Sequence, residues 1–198
     1  MYSDYTLEQF ENSLDKGIFS SLLVNYLFKN AVRMKTSLRF KGKGNDLFLS
    51  GAVLSGGKIK IESVGDWALG DAKVTNCDVE IGSAGGVALG WAKVTNCDVK
   101  IRSAGNWTLR DAKITNCDVK IREAGGWALE SAAITNCDVE IGSAGDWALR
   151  CAAMQGGSLK VDKAGNNFGA SANISVNKYE FGKDCVFNGR IKLLEEEK

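Results

Sequence analysis

Asn76-Cys77-Asp78-Val79-Glu80-Ile81, Asn96-Cys97-Asp98-Val99-Lys100-Ile101, Asn116-Cys117-Asp118-Val119-Lys120-Ile121 and Asn136-Cys137-Asp138-Val139-Glu140-Ile141 are one phrase written four times at a spacing of 20 residues. A unit of that length is too short to bury an apolar face alone. It must stack on its own copies, so the period signals a solenoid. Within each phrase Val-x-Ile alternates with charged residues, the two-residue period of a strand with one buried face. The register extends outward through Leu69, Leu89, Leu109, Leu129 and Leu149, and through Val74, Val94, Ile114 and Ile134. No window in this region has helical spacing.

The chain of 198 residues is long enough for a real core and divides into three parts. Residues 1–36 carry Thr6-Leu7-Glu8-Gln9, the form of a helix capping box. Leu7, Phe10, Leu14, Ile18, Leu22 and Tyr26 follow at three- and four-residue steps. An amphipathic helix is expected there, covering the first rung or docking a partner. Residues 37–176 hold about seven 20-residue windings, the first irregular and the last degenerate. Residues 177–198 are a closing segment, with Tyr179, Phe181, Val186, Phe187 and Ile191 placed to shut the far end and an acidic tail in solvent. Parallel crossovers are right-handed in nearly all cases, so the expected fold is all-β: a right-handed parallel β-helix with an N-terminal α-helical cap.

Particular columns of the repeat carry particular expectations. Gly65, Gly85, Gly105, Gly125, Gly145 and Gly165 mark one turn that needs positive φ or close backbone approach. Asn76, Asn96, Asn116 and Asn136 suit a left-handed corner, each amide bonding to the amide on the next rung. Cys77, Cys97, Cys117 and Cys137 read as small buried hydrophobes in a reducing compartment. The sharper alternative is a thiolate ladder holding metal, but four cysteines on successive rungs form a line, whereas zinc and iron–sulfur clusters need a cage. Asp78, Asp98, Asp118 and Asp138 are expected to bond backbone amides at a corner.

Composition narrows function. The charge is balanced, 25 Lys and Arg against 24 Asp and Glu, and no basic stripe is available for a nucleic acid or anionic membrane. The apolar stretch around Ile18 to Phe28 is too short and too interrupted to span a bilayer, and the start lacks a secretory pattern, so a cytoplasmic protein is expected. The absence of histidine excludes imidazole base catalysis and Ser-His pairs. An Asp ladder with Arg102 and Arg122 nearby could be imagined as a carbohydrate-cleaving site, yet an active site needs different groups converging on one point. Identical residues on every rung make a ladder instead.

The aromatic residues are more suggestive. Trp67, Trp107, Trp127 and Trp147 share one column, interrupted by Val87, and Trp91 breaks a neighbouring column otherwise held by Asp71 and Asp111. Facing outward they form a contiguous row with interface character; facing inward they fill a corner. Partial exposure is the reading adopted, with Trp91 the most exposed aromatic.

The ends of the array carry a family likeness. Ser55-Gly56-Gly57-Lys58-Ile59-Lys60-Ile61-Glu62-Ser63-Val64-Gly65 and Gln155-Gly156-Gly157-Ser158-Leu159-Lys160-Val161-Asp162-Lys163-Ala164-Gly165-Asn166-Asn167-Phe168-Gly169 have the cadence Gly-Gly, alternating strand, small residue and Gly, with a further Gly after three intervening residues in the second. This resembles the GXGXG repeat of the β-helical component of formylmethanofuran dehydrogenase and of the C-terminal domain of the large chain of glutamate synthase, over about residues 50 to 176. The resemblance implies a right-handed β-helix with an organising role in a redox or amidotransfer complex, without catalytic residues in the coil. The central windings depart from it, placing Asn-Cys for Gly-Gly and Leu89, Leu109, Leu129 and Leu149 for the later Gly. The reading is a non-enzymatic scaffold or accessory component that binds a protein partner and needs no cofactor. Its alternatives are a module stacking end to end on its own copies and a carbohydrate-acting enzyme using the Asp ladder.

Overall fold

The computed structural model describes residues 2–6, 37–43 and 49–194. The expected N-terminal helix, from Leu7 to Tyr26, lies outside the described residues.

The described residues hold strands and turns without a helix. They open with β1 (Tyr2–Thr6) and β2 (Ser37–Lys43). Each early winding then has one short and one long strand: β3 (Val53–Ser55) and β4 (Lys58–Ser63), β5 (Lys73–Thr75) and β6 (Asp78–Ser83), β7 (Lys93–Thr95) and β8 (Asp98–Ser103), β9 (Lys113–Thr115) and β10 (Asp118–Ala124). In the next two windings the pair fuses into β11 (Ala133–Ala144) and β12 (Ala153–Ala164). Then come β13 (Asn173–Val176), β14 (Lys178–Phe181) and β15 (Arg190–Leu193).

All pairing among the described strands is parallel, and from β3 to β14 it joins residues 20 positions apart. Val79 lies against Val99, Val99 against Val119, Val119 against Val139 and Val139 against Leu159. The result is a parallel β-solenoid of about seven turns, with long strands on one side, short strands on another and a turn segment on the third. Alternation decides which side chains fill it. In β8, Val99 and Ile101 are buried while Asp98, Lys100 and Arg102 face water. Each winding adds the same layer, for example Leu109, Ala112, Ile114, Cys117, Val119 and Ile121.

The turn segment differs from the sequence expectation in an instructive way. Gly85, Gly105, Gly125 and Gly145 do not have positive φ; they are required by close approach. A Cβ on Gly105 would lie 2.2 Å from the carbonyl oxygen of Gly85, well inside any tolerable contact. Left-handed backbone falls instead on the buried leucines, with φ of 58° at Leu69, 59° at Leu89, 61° at Leu109, 60° at Leu129 and 59° at Leu149, and on the column two residues later, Asp71, Trp91, Asp111, Ser131, Cys151 and Ser171, at 54–58°. An L-residue there costs roughly 1–2 kcal/mol. Full burial of a leucine side chain contributes about 1.5–3 kcal/mol and offsets the strain. In the seventh winding Gly169 holds the same position at φ 67°, relieving strain where a ring of Phe187 takes the space a side chain would need.

Both ends extend the stack beyond the obvious repeat. β1 pairs in parallel with β2, so the first five described residues add a strand to the long-strand sheet. At the far end β14 pairs with β12 and β15 with β13. Phe181 and Phe187 close on the fully buried Phe168, with ring centroids 5.6 Å and 5.4 Å from it.

Candidate functional site

Two ladders support the coil from its corners. Asn76, Asn96, Asn116 and Asn136 have φ between 51° and 53°, and the side-chain amide of Asn96 donates to Asn76 Oδ1 at 3.1 Å while that of Asn116 donates to Asn96 Oδ1 at 3.2 Å. Asparagine tolerates this conformation better than other non-glycine residues. Beside it the four cysteines are buried and unpaired. Each thiol donates to the carbonyl two residues back, at 3.1 Å for Cys77, 3.0 Å for Cys97, 3.1 Å for Cys117 and 3.1 Å for Cys137. Hydrogen bonding to the Cys97 thiol, then burial, push the Cys77 thiol well above its ordinary range; bonding to Cys137 and Cys97, then burial, do the same to Cys117. The same bonds within the row act in the opposite sense on Cys97, through Cys117 and Cys77, and on Cys137, through Cys117, lowering both; with a carbonyl oxygen 3.0–3.1 Å from every Sγ, each sulfur is placed to donate as a thiol.

The Asp ladder has a different role from the one expected. Asp78, Asp98 and Asp118 open their long strands, Asp138 lies within β11, and all four are exposed; Asp138 accepts from the Ser158 hydroxyl at 2.7 Å. The amide-capping role belongs to Asp66, whose Oδ1 accepts from the Gly86 amide at 2.8 Å, and to Asp146, which accepts from Asn166 at 2.7 Å.

Four of the five tryptophans form two stacked pairs on the turn segment. Trp67 and Trp91 are nearly coplanar, centroids 5.5 Å apart with 6° between planes; Trp107 and Trp127 stack at 5.8 Å and 22°. Trp67 is 45% exposed against 37% for Trp91, so the most exposed tryptophan is Trp67 and not the column-breaking Trp91. The cause is mutual cover: Trp91 lies between Trp67 and Arg110, whose Cζ sits 5.9 Å from its ring centroid. Trp107 is 36% exposed, and Trp127 and Trp147 are half-buried.

Backbone direction changes midway along this row. The Trp107 amide donates to Gly86 on the preceding winding, whereas the Trp127 and Trp147 amides donate to Asp146 and Asn166 on the following one. Trp127 and Trp147 accordingly have φ of 54° and 62°, a conformation rarely held by bulky residues and one that concentrates at functional positions.

A charged clamp fixes the row from beneath. Glu130 is nearly buried, with Arg150 Nη1 3.0 Å from its Oε1 and Arg110 Nε 3.4 Å from its Oε2. Arg150 also lies over Trp147, 5.5 Å from the ring centroid. Three rungs therefore tie Trp91, Arg110, Glu130, Arg150 and Trp147 into one array, whose cation–π contacts are worth about 0.5–1 kcal/mol each at such exposure. Sequence reading missed this clamp. The signal was present, because its column reads Gly70, Gly90, Arg110, Glu130, Arg150, Ala170 beside the repeating Leu69, Leu89, Leu109, Leu129 and Leu149.

Comparison with family models, with curated proteins and with solved structures returns no match. Among the described residues no helix is long and apolar enough to cross a membrane.

Proposed function

We propose that the protein is a non-catalytic scaffold that binds a protein partner through the tryptophan-lined turn segment, on the right-handed coil that parallel crossovers favour. The observation that carries this reading is the exposed Trp67–Trp91 stack, with Arg110 lying over Trp91. Exposed aromatic surface on a rigid frame costs little side-chain entropy to bury, and tryptophan and arginine are the residues in which binding energy concentrates. The likeness to the GXGXG repeat supports the same class of role, in a redox or amidotransfer assembly of the cytoplasm. The test is affinity purification from native cells followed by reconstitution with the purified partner. Trp67→Ala/Trp91→Ala should weaken the complex at least about tenfold, as expected for hot-spot aromatics, without changing the circular dichroism spectrum. Unchanged affinity would remove the reading.

A second reading is end-to-end stacking on a further copy. It is favoured by the last rung, where β14 and β15 each pair on one side and Tyr179, Val186 and Leu193 are exposed. Light scattering separates the two: a stacking module gains mass with concentration, and a scaffold for another protein does not. The carbohydrate-enzyme reading predicts that Asp98→Asn with Asp118→Asn abolishes polysaccharide cleavage, and unchanged turnover removes it.

A further inference from the structure

On the outer face of the long-strand sheet two successive rungs place cations side by side in two outward-facing columns at once. The first column reads Lys60, Glu80, Lys100, Lys120, Glu140, Lys160, Glu180. From Lys60 onward opposite charges alternate along it except where Lys100 meets Lys120, and at its start Arg39 is the register partner of Lys60. The second column reads Glu62, Gly82, Arg102, Arg122, Gly142, Asp162, so the same two rungs also place two arginines side by side.

Like charges also stack along Asp78, Asp98, Asp118 and Asp138 and along Lys73, Lys93 and Lys113, but at these two rungs cations meet in two neighbouring outward columns together. Like charges directly opposite on neighbouring strands are destabilising, by a fraction of a kcal/mol per pair, and simple continued alternation would have avoided both clashes. The flanking positions do follow that logic: Lys60 bonds Glu80, and Lys120 lies 3.1 Å from Glu140. Hydrogen bonding to Lys60 holds the Glu80 carboxyl below its usual range, and hydrogen bonding to Glu140 raises the Lys120 ammonium. Among the described residues Lys100 and Arg102 form no ion pair within 4 Å, and Arg122 reaches only its chain neighbour Glu123 at 3.9 Å. Asp98 and Asp118 stand two residues back on the same strands and face the same solvent, compensating the lysines more than the arginines.

The surroundings are shaped as well as charged. Gly82 and Gly142 remove side chains on either side of the arginine pair, and Arg102 leans over Gly82 so that a Cβ there would come 3.6 Å from its Nη2. The face forms a groove of about 780 Å³ centred on these rungs, within the size range of small-ligand sites. Rungs about 4.8 Å apart and alternate residues about 6.6 Å apart give a compact rectangle of four cations. Guanidinium forks bind carboxylate and phosphate oxygens in pairs.

We infer that Lys100, Arg102, Lys120 and Arg122 form a binding site for a small ligand carrying two or more adjacent oxyanion groups, phosphate or carboxylate. The site lies on a different side of the coil from the tryptophans and does not depend on the scaffold reading. Arg102 and Arg122 grip the oxyanions, Lys100 and Lys120 supply further charge, and Glu80 and Glu140 bound the site at either end.

The test is isothermal titration and thermal melting with inorganic pyrophosphate and, separately, with citrate. The wild-type chain should bind at least one of them, and the better of the two assigns phosphate or carboxylate as the preferred group. Arg102→Gln/Arg122→Gln should weaken binding at least about tenfold, as loss of charge-assisted bonds requires. Lys93→Gln/Lys113→Gln, an equal charge change on exposed short-strand positions of neighbouring rungs, should leave affinity within about twofold. Without ligand, the arginine variant should melt no lower than wild type, because its removal relieves repulsion. Failure of wild type to bind either anion, equal loss in the lysine control, or a ligand-free arginine variant that melts lower would each overturn the assignment.

Discussion

Replacing Gly125 with alanine should damage the stack far more than replacing its neighbour Gly126. A Cβ on Gly125 would stand 2.6 Å from both the carbonyl carbon and oxygen of Gly105 and 2.8 Å from the Asn106 Cα, all backbone atoms of the adjoining rung. Relief to an ordinary 3.4 Å needs an opening of about 0.8 Å, taken as 3.4 minus 2.6. The Gly125 amide donates to the Ala104 carbonyl at 3.0 Å, and the same opening stretches this bond beyond useful range. Overpacking costs about 1–3 kcal/mol, and the lost bond about 0.5–1.5 kcal/mol. The lower entropy of the unfolded alanine chain returns about 0.4–1 kcal/mol, leaving a loss of about 2–3 kcal/mol. At Gly126 the nearest atom to a new Cβ is the Asp146 carbonyl oxygen at 3.2 Å, followed by Asn106 Oδ1 at 3.9 Å, so small adjustments suffice and the net change is within about 0.5 kcal/mol. Urea unfolding followed by circular dichroism measures both, read as a shift of midpoint at constant slope. Equal midpoints for the two variants would falsify the close approach of rungs on which the reasoning rests.

Asn116→Ala should destabilise by about 1–2 kcal/mol in the same assay, since alanine gains left-handed strain and loses the amide ladder. Asn116→Gly should cost less, as Gly56 and Gly156 already hold that corner with φ of 72° and 76°; equal losses would contradict the assigned conformation. In the native protein a thiol reagent should modify the exposed Cys151 first and leave Cys77, Cys97, Cys117 and Cys137 unreacted until unfolding, and rapid release of all thiols would show that the ladder is open.

What could be read from the sequence followed from repetition. An exact 20-residue period places Val79, Val99, Val119 and Val139 over one another with no freedom of register, because a one-residue slip would turn the buried face outward. The buried cysteine row and the asparagine corners followed by the same logic. The left-handed leucines were not legible, because conformational preference points to glycine while the side chain's burial decides the matter. β14 and β15 were hard to see because Lys178, Tyr179 and Glu180 are exposed and the Asn-Cys and Ala-Gly marks are gone. β1 carries no repeat signature and precedes β2 by 35 residues at the paired positions Tyr2 and Ser37. The clamp around Glu130 and the paired cations around Arg102 share a lesson: where a chain copies itself so closely, the few columns that depart from the copy carry the specific chemistry.

The most direct test of the account is a methyl NOESY spectrum of the protein labelled at valine and isoleucine. In-register stacking predicts cross-peaks linking residues 20 positions apart, Val79 to Val99, Val99 to Val119, Val119 to Val139, and likewise along Ile81, Ile101, Ile121 and Ile141. A spectrum whose long-range peaks join residues at other separations, or that shows the three- and four-residue contacts of helices through residues 73–164, would contradict it.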